Sequence, residues 1–293
     1  MEKDIPKVAF AEDHKLRIEV MNFKQLLEKL LKSQDDHNPF EPHKIEFYII
    51  LIVTKNTYTH FVDFKSYALN EGSTLFITKN QVQYFTDNLR NAAGTCIIFN
   101  SFFDDKSYYL SKNLKLNRLF NYHIENPVIH QNEMGNDSLV QIAQQLHTEY
   151  HNTDGFAKSE ILSSLLQVLL LKAERVKEHR SISGIKNHWL ETFVSFKNLL
   201  ENEYANTRNS RIYASKLLVS YKFLNDIVKR FTGKTAKVFI DDFVTIEIKR
   251  YLASTSLSVK EISYKTGFEE PANMVKFFKK NTTFTPLKFR QQQ

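Results

Sequence analysis

Two clusters of cationic and amide side chains lie near the carboxyl end of this 293-residue chain. The first is Lys222, Asn225, Lys229 and Arg230. The second is Asn273, Lys276, Lys279 and Lys280, followed by Lys288. Lysine and arginine neutralise phosphates, and together with asparagine they can hydrogen-bond base edges in a DNA groove. Apolar residues recur in each cluster at three- and four-residue steps: Phe223, Leu224, Ile227, Val228 and Phe231 in one, Met274, Phe277 and Phe278 in the other. That period puts the polar residues on the opposite side of a helix. Lys222, Asn225, Lys229, Asn273 and Lys276 are read as base or groove contacts, and Arg230, Lys279, Lys280 and Lys288 as phosphate contacts. A solvated surface helix carries the same pattern, so the reading depends on the elements around each cluster.

Those elements are punctuated as helix-turn-helix units. Ser258 followed by Glu261 predicts a capping box at the start of a short helix. Gly267 supplies the freedom a tight turn needs, and Pro271 suits the first turn of a second helix beginning near Glu270. Upstream, residues 212–220 and 221–231 repeat the arrangement, with Ser220 as the expected N-cap and Gly233 just past the helix end. Between the units, Val238 to Leu252 reads as one amphipathic connector of about 15 residues, or about 22 Å at 1.5 Å per residue.

The order Gly267-Phe268, Glu270-Pro271, Phe277-Phe278-Lys279-Lys280, Thr285-Pro286 and Phe289-Arg290 resembles the second helix-turn-helix of AraC/XylS-type transcription regulators. The resemblance implies two recognition helices entering successive major grooves on one face of duplex DNA, so that one chain covers a non-palindromic site. It also implies RNA polymerase as a partner. Three positions depart from the pattern. Thr283 stands where the family usually has glycine, Ala272 and Val275 replace residues that are commonly polar, and Asp226 occupies a place often held by arginine. A carboxylate repels phosphates and could accept only from an exposed cytosine amino group.

Charge is divided in the same way. From Leu190 to Gln293 there are eighteen Lys and Arg against ten Asp and Glu, a net of +8, so the remainder of the +7 chain is close to neutral. A basic end beside a near-neutral remainder is the electrostatic footprint of a nucleic-acid binder. A membrane surface is the rival partner, but the helices lack one continuous basic amphipathic face. The length suggests about two domains, and 42% hydrophobic content is enough for real cores. Cys96, the single cysteine, cannot form an intrachain disulfide and reads as a buried strand residue. With no apolar segment of signal-peptide or membrane-span type, a cytoplasmic location is expected.

The front half has another texture. Residues 45–53, 58–64, 75–77, 81–85 and 95–99 are rich in β-branched and aromatic side chains and read as strands of a sandwich or small barrel. His43, Phe47-Tyr48, Thr59-His60, Tyr67, Gly72 and Gln81-Val82-Gln83 resemble the cupin-like sensor domain of many AraC-type regulators, over roughly residues 40 to 125. A small-molecule effector site is therefore expected at the barrel, with His43, Glu46, Tyr48 and Tyr84 as lining candidates; filling of the barrel by its own aromatics is the competing reading. No metal site is expected. His43 and His60 are far apart, neither has a histidine two residues away, and Gln83 stands where related sensors often carry histidine.

Residues 137–151 and 156–176 then read as helices, the second with a broad apolar stripe. By the resemblance this segment makes a homodimer, with Leu162, Leu165, Leu166 and Leu169 as the expected contact residues and an internal core contact as the alternative. The expected fold is α+β: a cupin-like β-barrel domain (1–135), a helical dimerisation segment (136–180), a linker (181–188) and an all-α DNA-binding domain with two helix-turn-helix units (189–293). Trp189 opens the last of these as a core or interface aromatic. Gly233-Lys234-Thr235 lacks the upstream glycine of a phosphate-binding loop, and no Gly-x-Ser-x-Gly elbow occurs. The reading is a sequence-specific DNA-binding transcription regulator, of the activating kind as the family resemblance implies, without enzymatic activity or cofactor, controlled by a ligand or by dimerisation. The alternative is a ligand-binding protein whose helix-turn-helix domain mediates protein contacts.

Overall fold

The run from Tyr48 to Val53 is continuously apolar, where a half-buried strand would alternate. The computed structural model shows why. It describes residues 5–10, 16–32, 38–100, 119–122, 126–133, 138–178 and 187–292. Contacts divide the chain into two units, Lys7–Ile182 and Ser183–Gln293 with the first six residues. In the first unit, strands β1 (Lys7–Val8), β3 (His43–Ile45), β8 (Val82–Tyr84), β5 (Tyr58–Val62) and β6 (Lys65–Leu69) form one sheet in that order. The order in the other sheet is β10 (Val128–Ile129), β7 (Thr74–Ile77), β4 (Tyr48–Lys55), β9 (Ala93–Phe99) and β2 (Ile18–Asn22).

Strand β4 lies at the centre of the second sheet, and that sheet is covered on both sides. Ile49, Leu51, Val53 and Cys96 meet Ile45, Tyr58, Val62 and Leu69 of the facing sheet. Ile50, Ile52, Ile97 and Phe99 point the other way, onto helices α2 (Leu139–His151) and α3 (Lys158–Glu178). Successive side chains alternate between faces, so a strand buried on both must be apolar at every position. The expected barrel is thus two facing five-stranded sheets that are not closed into a single cylinder. Cys96 is fully buried in β9, as its composition suggested.

Helix α1 (Phe23–Lys32) was not anticipated. It begins where Asn22 and Gln25 cap each other, each side-chain oxygen accepting the other's amide at 2.9 Å. This Asn-x-x-Gln spacing is a capping box, and it was legible.

The broad stripe of α3 sorts differently from expectation. Leu162, Leu166 and Leu169 are inside the core with β2, β4, β9 and α2, and only Leu165 is partly exposed. The apolar residues that face solvent are Ile161, Val168 and Leu171, each about 40% exposed. An apolar period identifies a stripe wider than one interface, but it cannot say which edge of the stripe meets the sheet.

The second unit is helical: α4 (Asn187–Glu203), α5 (Ser210–Lys216), α6 (Tyr221–Thr232), α7 (Ala236–Ser254), α8 (Val259–Lys265), α9 (Pro271–Thr282) and α10 (Pro286–Arg290). Residues 181–186 of the expected linker lie outside the described residues, and α4 starts before Trp189. Trp189 is half-buried, edge-on to Phe223 of α6 at 5.8 Å between ring centroids. Helix α7 runs for 19 residues, longer at both ends than expected, and packs against α5, α6, α8, α9 and α10. Its interior holds a charged pair, Glu247 with Arg250, both almost completely buried. Burying one member of such a pair without the other would be costly.

Candidate nucleic-acid interface

The first cationic cluster is held by the cap its sequence suggests. Ser220 Oγ accepts from the Phe223 amide at 3.1 Å and starts α6, which ends at Gly233 with φ 70°. Leu224, Ile227 and Val228 are buried, while Phe223 and Phe231 are half-buried. Lys222, Asp226, Lys229 and Arg230 are exposed on the other side. Asn225 stands apart from them. It is half-buried, and its Oδ1 accepts the Ala236 amide at 3.1 Å, so its oxygen serves the start of α7.

The second unit carries a complete capping box. Ser258 Oγ accepts from Glu261 N at 3.2 Å, and Glu261 Oε2 accepts from Ser258 N at 2.7 Å. The Ser258 hydroxyl also donates to Glu261 Oε2 at 2.6 Å, and this bond, with that from the Ser258 amide, holds the Glu261 carboxyl below its ordinary pKa. Gly267 turns with φ 76°, and Pro271 opens α9. Met274 and Phe278 are buried and Phe277 is half-buried, leaving Asn273, Lys276, Lys279 and Lys280 exposed. Lys288 is exposed on α10, with its ammonium 5.6 Å from the centroid of the Phe284 ring. Thr283, in the usual glycine place, adopts φ 68° and still donates its amide to Lys279 O at 2.9 Å. The loop geometry is kept at the expense of a strained β-branched residue. Helices α6 and α9 each thus present one cationic face to solvent and one apolar face to α7.

Arg211 and Tyr221 are further candidates that the sequence reading did not name. Tyr221, the first residue of α6, is 40% exposed, and the Arg211 guanidinium lies 5.8 Å from its ring centroid. The amino-terminal residues of a recognition helix are the ones that reach base edges. Position directly after the Ser220 cap was therefore the signal.

Residues 213–292 match the family model of a helix-turn-helix domain. The "HTH-type transcriptional activator RhaS" of Shigella dysenteriae is 24% identical over 258 residues, covering 86% of this chain and 88% of the relative. Its namesake from Escherichia coli K12 is 23% identical with the same coverage. The chain is similar to AraC/XylS-type transcription regulators in its carboxyl-terminal third and, at lower identity, along most of its length. Among solved structures, ToxT from Vibrio cholerae O395 is 16% identical over 86% of this chain and 92% of its own, with a TM-score of 0.42. The carboxyl-terminal domain of yesN from Fusobacterium nucleatum is 25% identical over 32% of this chain and 93% of its own, with a TM-score of 0.31.

The sheet domain contains a cavity of about 560 Å³. Val8, Phe10, Met21, Leu26, Leu30, Phe47, Ile49, Phe85 and Ile98 supply its apolar wall, and Glu19, Lys29, Lys32, His43 and Gln83 its polar part. Of the four expected lining residues only His43 reaches it. Glu46 is exposed and pairs with Lys7 at 3.9 Å. Tyr48 lies on the other side of β4, stacked on Phe99 at 5.2 Å, and Tyr84 stacks on Phe61 at 4.8 Å. Side-chain parity on each strand decides this, and parity depends on register. Register sets His43 directly opposite Gln83, whose Nε2 donates to His43 Nε2 while His43 Nδ1 donates to Glu41 O at 2.9 Å. His60 is fully buried with Nδ1 3.0 Å from Tyr58 OH, and burial lowers its pKa to about 3. Among the described residues, no three His, Cys, Asp or Glu side chains converge as a metal site would require.

Proposed function

We propose that this regulator is an activator whose two helix-turn-helix units lay α6 and α9 into successive major grooves on one face of a duplex. The observation that carries this is the packing of both helices on the single rigid helix α7, each with its cationic face turned to solvent. A helix of 19 residues is about 28 Å long, which matches the roughly 34 Å between recognition elements one DNA turn apart once side-chain reach is added. Lys222, Lys229, Asn273 and Lys276 are assigned to base edges, with Arg230, Lys279, Lys280 and Lys288 on phosphates. Asn225 contributes from its amide nitrogen while its oxygen holds α7. Activation follows the name that the RhaS relatives carry, and RNA polymerase as the partner follows the family resemblance. The place of action is the cytoplasm, where the DNA is; among the described residues no helix is long and apolar enough to cross a membrane.

Control is assigned to the sheet domain. The size of its cavity and its apolar wall suit a small molecule, and Lys32 and Gln83, with Lys29 paired to Glu19, supply polar groups along its lining. A homodimer is assigned to the exposed edge of α3, Ile161, Val168 and Leu171 with Leu165 beside them, in place of the leucines that turn inward. Antiparallel pairing about a two-fold axis near Leu165 and Val168 would bring Glu160 toward the partner's Lys172.

Selection from random duplexes by the full-length protein tests the central reading. The expected product is a non-palindromic consensus in two halves about 10 bp apart. Binding should be at least about a thousandfold tighter than to a scrambled duplex at the same salt. Recovery of no consensus would leave the helices as surface features.

A further inference from the structure

The two helix-turn-helix units touch at a second place besides α7. Arg208 lies two residues ahead of α5, in a loop locked to the first unit. Asn209 caps α5 by accepting from Arg211 N at 3.0 Å, and Tyr213 OH donates to Thr207 O at 2.8 Å. From there its guanidinium reaches the turn of the second unit. Its Cζ lies 3.6 Å from the centroid of the Phe268 ring and 5.8 Å from that of Phe277 in α9, and Nη2 donates to Gly267 O at 3.4 Å. The backbones also meet. A Cβ at Gly267 would sit 2.0 Å from the Ala205 carbonyl oxygen, so only glycine lets the loop press against the turn. Asn273, at the start of α9, opens onto the same hollow of about 450 Å³.

We infer that Arg208 is a positioning residue that fixes the separation and angle of α6 and α9, and so sets which spacing of a two-part DNA site the protein accepts. A single connector grips each unit from one side and leaves it free to rock about that packing. A second strut removes this freedom. Arginine suits the task because its planar, permanently charged group stacks on an aromatic face as it donates hydrogen bonds, which a lysine ammonium cannot reproduce. The inference rests on the paired docking proposed above.

The test uses full-length Arg208→Lys and Arg208→Met on the selected two-part site, on each half alone, and on duplexes with one to five base pairs inserted between the halves. Wild type should bind sharply at one spacing. Both variants should lose about tenfold there, the order expected of a partly desolvated cation–π contact. They should stay within about twofold of wild type on single halves and altered spacings, with unchanged salt dependence, because no phosphate contact is removed. Three results would overturn the assignment. A spacing profile identical to wild type shows that α7 suffices. Uniform loss with a shallower salt slope makes Arg208 a phosphate contact. A lowered Tm with equal loss on the halves makes it a folding residue. Indifference of the wild type itself to spacing would overturn the paired docking as well, and is distinguishable because it needs no variant.

Discussion

The side-chain oxygen of Asn225, midway along α6, accepts the backbone amide of Ala236 at the start of α7 at 3.1 Å. Ala236 is completely buried, so that amide has no access to water. Replacement of Asn225 by alanine should therefore cost about 1 to 3 kcal/mol, the penalty for a buried donor left unmade. Asn225→Asp keeps the acceptor and should keep the Tm, while its added charge weakens DNA binding. A Tm for Asn225→Ala equal to wild type would show that the bond is not a support.

Lys276 and Lys279 separate base reading from backbone attraction. Lys276→Ala should weaken specific binding by about 1 to 3 kcal/mol and leave a scrambled duplex nearly unaffected. Lys279→Ala should lower both alike and reduce the slope of log K against log salt by about 1. Gel shifts at several salt concentrations read both outcomes, and equal losses for Lys276→Ala on the two duplexes would move it to the backbone.

Thr283 holds φ 68° at the end of α9, a conformation that costs a β-branched residue about 1 kcal/mol or more relative to glycine. Thr283→Gly should accordingly raise the stability of the helical domain by about 1 kcal/mol in urea unfolding, since the side chain is exposed and makes little packing. Destabilisation would mean that the rigidity of threonine in the unfolded chain outweighs the strain.

His60 makes the sheet domain acid-sensitive. Burial, with His43 nearby, lowers its pKa from 6.5 to about 3. The unfolded chain binds a proton below about pH 6.5 that the folded chain refuses, so this contribution is intact above pH 6.5. It is lost as the pH falls toward 3, by about 1.4 kcal/mol per unit. His60→Asn should be less stable at pH 7.5, yet lose less between pH 6.5 and 5 than wild type does. Parallel urea midpoints across that range would acquit the residue.

Val168 and Leu169 are neighbours on α3 with opposite roles. Val168→Glu should convert a dimer to a monomer in sedimentation without a large change in Tm, because its side chain is exposed. Leu169→Ala removes a fully buried side chain and should cost about 2 to 5 kcal/mol with association unaffected in the folded fraction. Unchanged sedimentation of Val168→Glu would place any dimer contact elsewhere.

These pairs also show where sequence reasoning ends. The caps Ser220 and Ser258, the turn at Gly267 and the outward cations of α6 and α9 were readable, because a cap and its helix face involve residues within four positions of one another. The Asn22 and Gln25 capping box was equally readable and was passed over. Glu46, Tyr48 and Tyr84 could not be assigned to a cavity from their types, because each needed a strand register and a facing sheet before its direction meant anything. Arg208 carries no periodic signal at all, since it lies in a loop and its partners are about sixty residues away.

From its residues alone this chain was committed to two capped helical pairs with basic outer faces at one end and an apolar, strand-rich domain at the other. Local hydrogen bonding and periodic burial are written in near neighbours, which is why that much was legible. Folding in three dimensions decided the rest: that both sides of the β4 sheet are covered, that Leu162, Leu166 and Leu169 turn inward while Ile161 and Val168 turn out, and that Arg208 meets Phe268. Each of these depends on which distant surfaces exclude water from one another, and that is a property of the packed whole.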